Sequence, residues 1–390
     1  MTATETGFEQ LTQKLASEGT LNVLEELIRQ LRESKRFHDL FEALKMRVRF
    51  QLQLPLLYSD SGDDLSAEQR DQLEEGLIEA CREVGLALIA EGLPREGWMY
   101  LRPVGDRLEA AQALKQLDAD EEILDELIEV CLHEGVDVER GFGLVLQYHG
   151  TCNSITTFES MLYQGGKSDL RGVCKMLVRH VHEELKGSLA ADIERQSGAA
   201  PTETTIGGMV ADRDWLFGEH IYHIDTTHLA STVRFARMLD DPELLELALD
   251  LTEYGHRLHE QFQYPQEEPF VDLYEASALY LEGLLGRKVE ECKAYFSERA
   301  SAVDSAEHGN MAKEVYVDLL QRLQDPVGAV KASLELELPN AQSLGVAPTL
   351  LELCEAANNF DALMEYSRSN DNLLGYGMAL LKASSKKPSR

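Results

Sequence analysis

Six of the eleven histidines fall between positions 149 and 228: His149, His180, His182, His220, His223 and His228. The densest stretch is GEHIYHIDTTHL, where His220, His223 and His228 surround Asp225. Imidazoles at such density suit metal ligation or proton transfer near neutral pH. Taken as one helix over 219–239, the stretch divides by face at 100° per residue. Ile221, Ile224, Thr232, Phe235 and Leu239 share an apolar stripe that includes His228, with Asp225 close to it. His220 and His223 share another face with Thr227. The spacing therefore predicts a buried His228 held by the Asp225 carboxylate, and a separate polar pair, His220 and His223.

A second segment, LVLQYHGTCNSITTFES, is similar. As a helix it sets Leu144, Tyr148, Cys152, Ile155 and Leu162 on an apolar stripe, beside a polar one of His149, Asn153 and Thr156. Gly150 permits close approach of a backbone or ligand. The candidate binding residues are His149, Asn153, Trp215, His220, His223 and Thr227. Within that set His149, His220 and His223 are candidate ligands for a divalent metal such as zinc, with an open fourth position for catalysis. HEXXH is absent, as are G-x-G-x-x-G, P-loop and G-x-S-x-G patterns. Cys152 lies in the apolar stripe and reads as core rather than as a nucleophile beside His149. Glu184 can pair with His180 at i,i+4.

The elements carrying these residues read as helices. Leu21, Leu24, Leu27, Ile28 and Leu31 step by three or four, as do Leu244, Leu247, Ala248, Leu251, Tyr254 and Leu258. No alternating apolar and polar run stands out, so no sheet is expected. In LDDPELLELAL and LQDPVGAVKAS an Asp can cap a helix whose first position is Pro. Gly286 and the pair Asn358-Asn359 mark further junctions, 34 to 45 residues apart. RESKRFHDLFEALK repeats the form near the N-terminus.

This periodicity of helix pairs resembles the tetratricopeptide-like superfamily, through VYVDLLQRLQDPVGAVKASLEL and LLELCEAANNFDALMEYSRS. The resemblance implies an all-α, right-handed α-solenoid of antiparallel helix pairs with a modified central region. It also implies a protein or peptide partner on the concave face. The chain reads as a single domain. Its expected sub-regions are N-terminal pairs over 1–58, central helices over 66–196, a long loop over 197–215, repeats over 216–382 and a disordered tail over 383–390. The alternative is a small-molecule or metal-dependent enzyme with a histidine-lined pocket under the 197–215 loop.

Charge narrows the partners. Lys plus Arg number 37 and Asp plus Glu 69, a net charge of −32. Such a surface repels phosphate backbones, so neither nucleic acid nor anionic membrane is expected. No apolar run approaches the length of a membrane span, and no signal peptide is visible. The six cysteines lack a CxxC pair and read as reduced, half-buried thiols in a cytoplasmic protein.

Overall fold

The computed structural model describes residues 3–56, 65–163 and 170–385. Residues 386–390 of the expected tail lie outside the described residues. Among the described residues the chain is all-α. Its one β feature is an isolated bridge between Gly218 and Ile221. No described helix is long and apolar enough to cross a membrane. The chain divides into two compact units, Met1–Gly150 and Thr151–Arg390.

In the first unit the helices Ala3–Glu18, Thr20–Glu33, Phe37–Gln51, Ala67–Ala90 and Pro94–Leu101 pack each on the next. Ile28, Leu31, Phe37, Leu40, Leu44, Val84 and Leu88 form their core. Ala67–Ala90 and Pro94–Leu101 cross closely because glycine faces glycine. A Cβ on Gly97 would stand 2.7 Å from the Gly85 carbonyl, and one on Gly85 2.9 Å from that of Gly97. Gly97→Ala is therefore expected to destabilise the chain by about 1–3 kcal/mol in urea unfolding, as overpacked cores do. Further on, Val138–Leu144 runs into a wide π turn, Val145–His149.

The second unit starts at Thr151, within the helix Gly150–Tyr163, and continues with the long helix Arg171–Ser197. From Pro242 onward consecutive longer helices again pack on one another: Pro242–Arg257, Leu273–Leu284, Val289–Ala302, Met311–Arg322 and Pro326–Glu335. Leu350–Ala356, Phe360–Ser369 and Leu373–Ser385 follow in the same manner. The expected caps form. Asp241 accepts from the Glu243 amide and Asp325 from that of Gly328, each with Pro at the first helical position. Of the stripe, Leu244, Ala248, Leu251, Tyr254 and Leu258 are buried and Leu247 is half-buried. All six cysteines are free, and five are buried. Cys152 is the exception: it is exposed, because the helix expected to run through 144–160 breaks at Gly150, whose φ is +80°. The stripe fails with it, and Tyr148 and Leu162 are exposed too.

Two expectations about local structure need correction. The stretch 197–215 is not a free loop. Ile206–Val210 forms a short helix capped by Thr205, with Ile206, Met209 and Val210 buried. And 219–239 is not one helix: the helix is Thr226–Phe235, and Asp225 is its N-cap.

Candidate functional site

The helices Arg171–Ser197 and Pro242–Arg257 pack together in the second unit and supply the acids that organise the segment between them. Asp250 is the first. Its carboxylate accepts 2.6 Å hydrogen bonds from the Ile206 and Gly207 amides, and Nε2 of His182 lies 2.9 Å from it. Burial opposes its charge. The hydrogen bonds from His182, Gly207 and Ile206 outweigh burial, so its pKa lies below the ordinary aspartate value. His182 is almost wholly buried, and its Nδ1 has no hydrogen-bond partner; the Glu183 carboxylate stands 3.8 Å away.

Asp192 is the second. His223 Nε2 lies 3.1 Å from its Oδ2, while Arg195 and Gln196 approach Oδ1. On the other side of the ring, Nδ1 of His223 lies 3.1 Å from the Tyr254 hydroxyl, which also accepts the His223 amide at 2.8 Å. One proton arrangement satisfies every partner: Nε2–H donates to Asp192 and Tyr254 O–H donates to Nδ1. Both ring nitrogens of a neutral imidazole are thus occupied. Burial pushes the Tyr254 phenol up to about 12, so it stays a donor at neutral pH. Burial also works against the Asp192 charge, but the hydrogen bonds from His223 and Gln196 and the nearby Arg195 charge hold its pKa low.

Between the two anchored points the chain closes a turn. Ile221 N–H closes on Gly218 C=O at 3.2 Å, and Gln261 donates to the Glu219 carbonyl. The Tyr222 ring meets Phe262 edge to face at 5.5 Å between centroids. Arg257 ties down the preceding residues. It donates to the Val210 carbonyl and to Asp214, and its guanidinium lies 4.8 Å from the centre of the Phe217 ring. What this framework holds toward solvent is apolar: Trp215, Ile221 and Tyr222 are 40%, 41% and 54% exposed.

The sequence-predicted site therefore divides. His223 turns inward to Asp192 and Tyr254, whereas His220 on the same turn is exposed. Trp215 lies on the one-turn helix Asp214–Leu216 that leads into the turn. Thr227 donates its hydroxyl to Asp225 at 2.6 Å and is part of a helix cap. Asp225 is exposed and bonds the backbone amides of Thr227 and His228, not the His228 ring, so the expected buried pair at these positions does not form. The caps explain why. Asp-Thr-Thr starts a helix, so residues before it leave the helical register and Ile221 leaves the apolar stripe. His149 belongs to the first unit, where it is exposed at the end of the π turn. Asn153 is exposed on Gly150–Tyr163. His180 meets the Thr151 hydroxyl at 2.9 Å and Glu184 at 3.6 Å, the expected i,i+4 pair.

Asp192, Asp250 and Tyr254 were not among the predicted site residues. Asp192 left a signal: it continues the apolar steps Val181, Leu185 and Leu189, and an acid on such a stripe needs a buried partner. Asp250 left none, since it continues the acidic steps Glu243 and Glu246 of a solvated face.

No protein-family model matches the chain, and neither curated proteins nor solved structures give a match. Among the described residues, no three His, Cys, Asp or Glu side chains are grouped so as to hold a metal ion. Two carboxylate–imidazole pairs anchor the ends of the segment 206–223, whose outer side chains are large and apolar.

Proposed function

We propose that the chain is a cytoplasmic protein- or peptide-binding scaffold, a tetratricopeptide-like stack of antiparallel helix pairs. Its second unit would meet the partner through the turn from Trp215 to Tyr222. One observation carries this reading. Trp215, Ile221 and Tyr222 stay substantially exposed on a segment held before it by Asp250, at Gly207, and after it by Asp192, at His223. Aromatic side chains of this kind dominate binding energy at interfaces, and a fixed backbone spares the ordering cost of association. Exposed acids nearby, Asp212, Glu219 and Glu260, suit a partner segment with an apolar anchor and flanking basic residues. An enzymatic reading would draw on His223, and both its ring nitrogens are already engaged.

The test is a selection. Peptides selected from a random display library against the full chain should bind it, and the double variant Trp215→Ala/Tyr222→Ala should lose about 2 kcal/mol or more of that affinity, roughly thirtyfold. The variant should melt as the wild type does, because both side chains are half outside the core. Unchanged affinity in the variant would remove the turn from the proposed function.

A further inference from the structure

The helix Leu373–Ser385 reads LLGYGMALLKASS and is apolar on nearly every side. A helix of that composition is normally covered all round. Here one face packs on Phe360–Ser369 through the fully buried Ala379, and Lys382 at its edge pairs with Glu355 at 2.7 Å. The opposite face is bare: Leu373 is 84%, Leu374 75%, Leu380 50%, Leu381 70% and Met378 40% exposed. At 100° per residue, Gly377 falls in the middle of this bare face. A Cβ there would meet nothing within 4 Å. Glycine within a helix is unfavourable relative to alanine, and no described residue requires it at this position.

We infer that this face pairs with the same face of a second copy of the chain, the two helices crossing antiparallel at Gly377. Three features favour that occupant. Leu374 and Leu381 stand symmetrically about the 377–378 position, so a two-fold axis there exchanges them, as an isologous contact demands. Glycine at the axis lets two backbones approach as side chains would not allow. Charge selects the location: on a chain of net charge −32, residues 372–385 contain no acid, so here two copies meet without acidic repulsion. The bare face is on the order of 500 Å², at the upper end for a monomer, and two such faces make about 1,000 Å², the low end for a specific contact. Antiparallel helices also set opposite dipole ends side by side.

Sedimentation equilibrium of the full chain up to about 100 µM, a range that captures micromolar Kd values, should show twice the monomer mass. Leu374→Glu/Leu381→Glu should be monomeric with an unchanged thermal midpoint. Gly377→Ala should raise the monomer's helical stability yet weaken pairing at least tenfold, a combination a purely structural role for Gly377 would not give. Mixed Leu374→Cys and Leu381→Cys chains should cross-link to each other more readily than either does to itself. A wild type that is monomeric throughout that range overturns the inference. So does pairing that survives the double Glu variant, or a monomer that binds anionic lipid vesicles through this face instead.

Discussion

Replacing Asp250 with alanine is expected to destabilise the second unit by about 3–5 kcal/mol, because three donors lose one acceptor at about 1–3 kcal/mol each. The substitution strips the acceptor from three donors at once: Nε2–H of His182 and the amides of Ile206 and Gly207. His182 has no second arrangement to fall back on, because its Nδ1 already lacks a hydrogen-bond partner. The short helix Ile206–Val210 loses its anchor, and with it the approach to the turn. Asp250→Asn is the informative companion. It keeps the volume and one acceptor oxygen, so it should cost about 1–3 kcal/mol, the range for one imperfectly satisfied buried group. Urea unfolding followed by circular dichroism measures both. The pH dependence has a fixed sign. The folded pKa of Asp250 lies below the ordinary value, so its contribution is fully present above about pH 4 and is lost as pH falls through the folded value. Wild-type stability should therefore fall more steeply than that of Asp250→Asn as pH drops below about 4. Parallel curves would show that the carboxylate carries no net linkage.

Gly255→Ala is the second large effect. Gly255 lies on Pro242–Arg257 where that helix crosses Leu273–Leu284, and a Cβ would fall 2.2–2.6 Å from three atoms of the Tyr274 ring. That ring is wholly buried and has no room to swing aside. The helices must separate, at a cost of about 3 kcal/mol, the upper part of the range for overpacked cores. The damage should reach the turn, since the neighbouring Tyr254 holds both the amide and the ring of His223. Gly187→Ala on Arg171–Ser197 provides the control. A Cβ there meets nothing within 4 Å, so alanine should stabilise the chain by about 0.5–1 kcal/mol through helix propensity alone. Differential scanning calorimetry separates the two. Equal midpoints for Gly255→Ala and wild type would contradict the close crossing.

Sequence periodicity was sufficient for the helices and for many of their ends. Asp241-Pro242 and Asp325-Pro326 cap where their chemistry says they should, because capping is decided by neighbours in the chain. The site was half legible. A buried imidazole held by a carboxylate was expected at His228 and Asp225, and such pairs exist, but at His182–Asp250 and His223–Asp192. Their members are 68 and 31 residues apart, on elements whose facing cannot be read from one sequence. The error at Asp225 is of another kind. Asp-Thr-Thr carries a cap signal of its own, and the cap ends the helical register on which a buried His228–Asp225 pair depends.

Hydrogen–deuterium exchange of the full chain, free and bound to a display-selected peptide, tests the central claim most directly. The amides of Ile206 and Gly207, bonded to the Asp250 carboxylate, and of His223, bonded to the Tyr254 hydroxyl, should exchange slowly in both states. Peptide binding should add protection over 214–222. Slow exchange at the anchors with new protection confined to that segment is the expected result. Rapid exchange at the anchors in the free chain, or protection elsewhere with 214–222 unchanged, would contradict the account.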